Sequence, residues 1–179
     1  MTSSIPTGVP GKGAGEGAGV LAGRRARIVT ASSRAAAGVY PDRGGTALAE
    51  GLRRLGMEVT EPDVVADGPS VSDAIARALL DAPDLLVTTG GTGLTPTDGT
   101  PEATAPFLDR LVPGIPEAMR AAGVAKGVSS AILSRGLAGL AGRTLVVNVP
   151  GSTGAVRDAL EVLAELLPHA LDQVRGGDH

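Results

Sequence analysis

The chain has no cysteine and no tryptophan, one tyrosine (Tyr40), one phenylalanine (Phe107), and only Lys12 and Lys126 as lysines. Without cysteine there is no cystine scaffold, no thiolate zinc site and no Cys nucleophile, and a reducing compartment is the natural setting. Tyr40 and Phe107 are too few for the base-stacking platforms of single-strand binders. Sixteen Lys and Arg against 19 Asp and Glu leave a net charge of −3, so no bulk basic field gathers nucleic acid or an anionic membrane. No apolar run nears the roughly 20 residues that cross a bilayer. The first residues lack a basic segment followed by a long apolar one, so no secretory signal is expected. These absences predict a cytoplasmic protein with neither nucleic acid nor membrane as a partner. Histidine is scarce too: His169 falls in a helical run and His179 is the last residue, which leaves a Ser/His/Asp hydrolase without a base. G-x-S-x-G is missing, and metal centres built on His or Cys are excluded.

What is present is apolar and small. The chain has 179 residues, 42% apolar and 20% charged, a size and balance that suit one domain able to bury its own core. Residues 1–23 are rich in Gly with almost no bulky side chain, and read as a flexible tail ahead of a single domain over 24–179. From Arg24 onward, β-branched runs alternate with Ala/Leu-rich helical stretches. RIVTAS (27–32), MEVTEPDVV ending near Val65 and DLLVTT (84–89) read as strands, the last apolar enough for burial on both faces. Helices are predicted over about 44–55, over 71–81 with Ser70 as N-cap, over 102–111, and around 114–122. RGLAGLAGRTLVVNVP reads as a hairpin turning at Ala141-Gly142, to one side of the sheet. The closing stretch after Gly151 reads as one helix interrupted at Pro168. The alternation predicts a three-layer α/β/α fold with a mostly parallel sheet and a small β-hairpin.

In such a sheet, ligands bind where loops leave the carboxyl ends of the strands. Three loops of unusual composition fall there. TTGGTGLTPTDGTPEAT (88–104) carries four glycines, seven threonines and Asp98 ahead of a helix opening at Pro101-Glu102. Its glycines allow close backbone approach, and free N–H groups beside a helix N-terminus make an anion nest. It matches neither a Walker A loop nor the Rossmann fingerprint. NVPGST (148–153) offers Asn148, a turn at Pro150-Gly151, and Ser152 as a cap for the last helix. VADGPS places Asp67 just past the second strand; a lone Asp before Gly is usually a turn residue. Asp67 and Asp98 are expected to emerge from neighbouring strands, where paired carboxylates beside a phosphate cradle hold Mg²⁺. Ser32-Ser33-Arg34 after the first strand reads equally as donors or as a strand terminator. Arg34, Arg43, Arg135 and Arg143 read as solvated charge ahead of phosphate contacts.

At these segments the chain resembles the MoaB/Mog family, the molybdopterin adenylyltransferases that include the corresponding domain of gephyrin. The resemblance runs from about Arg27 to Val174 through AGVYPDRGG (37–45), residues 88–104, PGIPEAMR (113–120), LSRGLAGLAGRTLVVNVPGS (133–152) and LPHALDQV (167–174), colinear and correctly spaced. It implies a cytoplasmic homotrimer that transfers AMP from ATP to molybdopterin in molybdenum cofactor synthesis, releasing pyrophosphate and requiring Mg²⁺. It puts the family's two catalytic aspartates, and the metal, on Asp67 and Asp98. It puts the glycine-rich contact loop on Gly90, Gly91, Thr92 and Gly93, and further pocket residues on Ser32, Ser134, Asn148, Gly151 and Ser152. With their neighbours Thr89, Thr100, Pro101, Glu102 and Pro150, these are the expected substrate-binding residues. Ser33 stands where many members carry Asp, and Thr97 where Arg is common. Against the enzyme stands a non-catalytic protein that only holds a pterin or nucleotide. A passive phosphate cradle gains nothing from two nearby anions, and pyrophosphate release separates the two. A purely structural scaffold leaves the Gly/Thr loop unexplained.

Overall fold

The computed structural model describes Gly19 and residues 21–177. Residues 1–18 and 20 of the expected tail, with His179, lie outside the described residues. The tail's end needs correcting, because Leu21 is 2% exposed and packs into the main core beside Ala26. A bulky aliphatic side chain just ahead of the first strand gains more from burial than its ordering costs.

Along the chain run β1 (Arg25–Ala31), α1 (Ser33–Ala36), α2 (Arg43–Arg54), β2 (Glu58–Val59), β3 (Asp63–Val65), α3 (Pro69–Leu80) and β4 (Leu85–Thr89). Then come α4 (Thr100–Thr104), β5 (Arg110–Leu111), α5 (Gly114–Ala125), β6 (Ala138–Ala141), β7 (Thr144–Val149) and α6 (Thr153–Val174). Short 3₁₀ turns cover Ala105–Phe107 and Ser129–Leu133. The described strands form one seven-stranded sheet in the order β2-β1-β4-β7-β6-β5, with β3 continuing the β2 side of β1. β1, β2, β3, β4 and β7 are parallel, and β6 runs antiparallel to both β5 and β7.

Alternation along the strands sorts two cores. Ile28, Leu85, Val87, Leu145 and Val147 face α2, α5 and α6, through Leu48, Leu52, Met119, Leu163 and Leu167. Val29, Ala31, Leu86 and Val146 face the other way, onto Val71, Ala74, Ile75 and Ala78 of α3. All five residues of β4 are buried, as the apolar run DLLVTT predicts.

Several boundaries differ from expectation. Pro62 splits the second predicted strand into β2 and β3, because a residue without an N–H breaks the ladder. α3 starts at Pro69 behind Gly68, and Ser70 does not cap it; its hydroxyl donates back to the Ala66 carbonyl at 2.5 Å. The helix predicted over 102–111 is only α4 plus a 3₁₀ turn, and its last two residues form the edge strand β5. Proline at 106 ends the α-helical hydrogen bonding. The hairpin is not peripheral: β7 lies in the middle of the sheet, paired in parallel with β4. Nor does Pro168 interrupt α6, which runs unbroken over 22 residues. One lost bond is outweighed by the buried row Val156, Ala159, Leu163, Leu167 and Leu171.

Candidate functional site

Because β1, β4 and β7 are parallel neighbours, their following loops leave the same edge of the sheet. The backbones there are nearly in contact. Gly90 N–H donates to Val149 O at 3.1 Å, and Thr89 Oγ1 donates to Pro150 O at 3.2 Å. Gly90 has φ +92°, and a Cβ there would lie 2.3 Å from the Ala31 carbonyl oxygen. A Cβ on Gly151 would lie 3.1 Å from Gly90 Cα. Gly90 is required by the crossing main chains, and at Gly151 the approach is merely tight.

Two cavities flank this crossing and share Gly90 and Gly151 in their walls. The first, about 450 Å³, brings together the expected residues Gly91, Thr92, Gly93, Asp98, Ser134, Asn148, Pro150 and Ser152. Beyond the glycine loop its wall turns apolar, with Pro116, Met119, Val128 and Leu133, residues sequence reasoning passed over. Pro116 and Met119 fall in the motif 113–120 and Leu133 opens the motif 133–152, which the sequence marked without assigning them roles. The second cavity, about 560 Å³, takes the expected Ser32 and Thr89 together with Thr30, Tyr40, Asp42, Arg43 and Gly44. Tyr40, Asp42, Arg43 and Gly44 sit in the segment 37–45, visible in the sequence as a motif without assigned roles, and Thr30 lies in β1. Ser32 Oγ and Tyr40 Oη are 3.1 Å apart. Asp42 caps α2 through Gly45 N–H at 2.9 Å and accepts from Thr30 Oγ1 at 2.8 Å. Arg34 stacks over Tyr40 at 5.0 Å.

Free donors ring the crossing. Among the described residues, the N–H groups of Gly91, Thr92 and Gly93 donate to nothing, whereas that of Gly90 is spent on Val149. The expected nest therefore has three members. On the other side α6 begins, with Ser152 capping it by accepting from Ala155 N–H at 3.2 Å. Thr153 lines the second cavity and Gly154 the first, so the helix N-terminus points between them. Its first N–H groups and the helix dipole favour an anion at that place.

Other expected residues have different employment. Asn148 is 1% exposed and its amide is fully used: Nδ2 donates to Thr88 Oγ1 at 2.9 Å and Thr104 Oγ1 at 3.0 Å, and Oδ1 accepts from Leu137 N–H at 3.0 Å. Its polar groups thus fix β7 to β4 and α4 and are not left for a substrate. Thr100 and Pro101 are buried and line neither cavity, although Thr100 Oγ1 has no partner among the described residues. Glu102 pairs with Arg135, whose hydrogen bond holds the Glu102 carboxyl below its ordinary value. Arg135 is therefore not simply solvated.

The two aspartates separate. β3 and β4 flank β1, so Asp67 and Asp98 do not emerge from neighbouring strands as expected. Asp67 lines neither cavity; its Oδ2 accepts from Ser33 N–H at 2.9 Å and Ser33 Oγ at 2.7 Å, behind the cavity-lining Ser32. Two crossovers to opposite sides of the first strand produce this spacing. Asp98 does face the first cavity, with Oδ2 accepting from Thr95 N–H at 2.9 Å and Thr95 Oγ1 at 2.7 Å. Among the described residues no group of three or more acids or histidines is arranged to hold a metal. One carboxylate beside free main-chain N–H groups nonetheless fits Mg²⁺, an ion that takes few protein ligands and keeps several waters or phosphate oxygens. His169 lines neither cavity, as expected of it.

The family described as "Probable molybdopterin binding domain" matches residues 27–169. The Molybdenum cofactor biosynthesis bifunctional protein of Synechococcus elongatus is 40% identical over 162 residues, 90% of this chain and 50% of its own. The Molybdopterin adenylyltransferase of Helicobacter pylori J99 is 37% identical over 156 residues, 83% of this chain and 86% of that protein. The chain thus spans about half the length of the first curated relatives it matches. Among solved structures, the Molybdopterin biosynthesis Mog protein from Mycobacterium ulcerans superimposes with a TM-score of 0.80 at 51% identity, covering 84% of this chain and 99% of that one. The Molybdopterin biosynthesis enzyme MoaB from Thermus thermophilus gives 0.76 at 43%, covering 86% and 97%.

Proposed function

The chain belongs to the molybdopterin-binding domain family of molybdenum cofactor biosynthesis proteins, and from that premise we propose that it is a molybdopterin adenylyltransferase. An oxygen of the molybdopterin terminal phosphate attacks the α-phosphorus of ATP. The new P–O bond forms as the bond to the β-phosphate oxygen breaks, and pyrophosphate leaves with that electron pair. The observation that carries this reading is the pair of cavities meeting at Gly90 and Gly151, with free N–H groups at Gly91–Gly93 on one side and the α6 N-terminus on the other. Two phosphate-bearing substrates entering from opposite sides bring their phosphates to one donor-lined place.

The glycine loop and apolar wall of the first cavity suit a flat heterocycle with a phosphate arm, so the pterin is assigned there. The hydroxyls of Ser32 and Tyr40, with Arg43 among the lining residues, suit ATP in the second. Charge in this reaction accumulates on non-bridging phosphate oxygens, which the main-chain donors and helix dipole stabilise. Asp98 would hold a Mg²⁺ bound with the triphosphate, and that ion would neutralise the same oxygens. Asp67 braces the loop after β1 through Ser33. In this reading the protein works as a cytoplasmic homotrimer.

The test is Asp98→Ala. Its turnover, read as pyrophosphate release, falls by roughly 100-fold or more, while molybdopterin binding stays within a few-fold of wild type. Undiminished release removes Asp98 from the reaction.

A further inference from the structure

Arg135 follows Ser134 in the link between the 3₁₀ turn and β6, and its donors converge on a single loop. Its backbone N–H reaches Thr92 O at 2.8 Å. In the side chain, Nε donates to Gly93 O at 2.8 Å, Nη2 to Asp98 O at 2.7 Å, and Nη1 to the Glu102 carboxylate. The guanidinium therefore ties together the start, the far side and the exit of the segment that carries Asp98. Little else anchors it. Apart from Arg135, the segment is held by local bonds among Thr95, Thr97 and Asp98, and one main-chain bond, Thr100 N–H to Gly91 O at 3.0 Å, closes its base.

We infer that Arg135 is a positioning residue: it fixes the Gly93–Asp98 segment at the mouth of the first cavity and sets where the Asp98 carboxylate stands toward the reacting phosphates. The inference rests on the adenylyl-transfer reading above. A planar fork with five N–H groups can serve three separated acceptors at once, which an ammonium on a flexible stem cannot. Lysine keeps the charge and loses the geometry. A carboxylate displaced by about 1 Å costs on the order of 100-fold in rate, which makes the posture of this loop a kinetic quantity.

The experiment compares wild type, Arg135→Lys, Asp98→Ala and the double variant by pyrophosphate release with ATP, Mg²⁺ and molybdopterin. Amide hydrogen exchange over residues 93–98 and over β7 is followed in parallel, and Arg135→Gln repeats each measurement without the charge. The inference expects Arg135→Lys to lower kcat by about 10- to 100-fold, with KM for molybdopterin within about threefold of wild type. Exchange should quicken over 93–98 alone, and the double variant should be no slower than Asp98→Ala, because the arginine acts through the aspartate. A kcat within twofold of wild type overturns the inference, as does a loss that multiplies in full onto that of Asp98→Ala. Exchange that quickens equally in β7 overturns it too, by showing a general loss of stability. Full activity in Asp98→Ala defeats the functional reading itself, and the inference with it; an inactive Asp98→Ala beside an unaffected Arg135→Lys defeats the inference alone.

Discussion

Gly90 shows what a single hydrogen in place of a methyl group secures. At φ +92°, with the Ala31 carbonyl oxygen 2.3 Å from where a Cβ would stand, it admits no side chain without moving β1 or β4. Gly90→Ala should lower Tm by roughly 5–10 °C, from about 2–3 kcal/mol of backbone strain and displacement. Gly114, the first residue of α5, has nothing within 4 Å of its would-be Cβ, so Gly114→Ala should leave Tm unchanged or slightly raised. A thermal melt of both variants checks the contrast; equal effects would mean that the crossing of backbones is not what requires Gly90. The sequence pointed to this loop through its glycines, but for ligand approach, whereas at Gly90 the neighbour is β1. Asn148 makes the same point for polar groups. An amide at a strand's carboxyl end is a fair candidate for binding, yet its partners Thr88 and Thr104 lie 60 and 44 residues away. Only the folded register reveals that its hydrogen bonds are already made.

At the scale of elements, the end of the sheet away from the cavities is held by charge. Asp84, just before β4, is 8% exposed and accepts from the Arg25 N–H at 2.8 Å, Arg175 Nη2 at 2.6 Å and Arg24 Nη1 at 3.4 Å. It joins the start of β1 and the residue after α6 to the central strand. Burial pushes its carboxyl up, but the Arg25 N–H and the Arg175 and Arg24 side chains outweigh this and keep the pKa below the ordinary 3.8. A pKa depressed by folding contributes stability above the unfolded value, and that stability is lost as pH falls through the folded one. Asp84→Asn should therefore cost about 2 kcal/mol in urea unfolding at pH 7, with the gap to wild type closing as pH drops below 3.8. A gap independent of pH would assign the loss to packing. Elements with a strong pattern were legible, among them α2, α3, β4 and β7. The edge strand β5 was not, since Arg110 and Leu111 are both exposed and carry no alternation. Pro168 misled because local propensity was overridden by the buried face of α6.

For the whole molecule, parallel order is what creates the site. Loops far apart in sequence meet because β1, β4 and β7 lie side by side, and the two cavities share their wall where those loops cross. The layers and the glycine-lined first cavity followed from alternation and loop composition. The second cavity did not, because Tyr40, Asp42 and Arg43 draw their meaning from Thr30 and Gly151 across the fold. The placement of Asp67 behind β1 was equally hidden, since spacing along a chain does not report which strand lies between two others. The account turns on transfer between substrates held in the two cavities, and tracing the α-phosphate tests it most directly. The protein is supplied with molybdopterin, Mg²⁺ and ATP radiolabelled at the α-phosphate, and the products are separated. The label should appear in a pterin-containing product, one equivalent for each pyrophosphate released. Molybdopterin bound but unlabelled, with ATP left intact, would contradict the account.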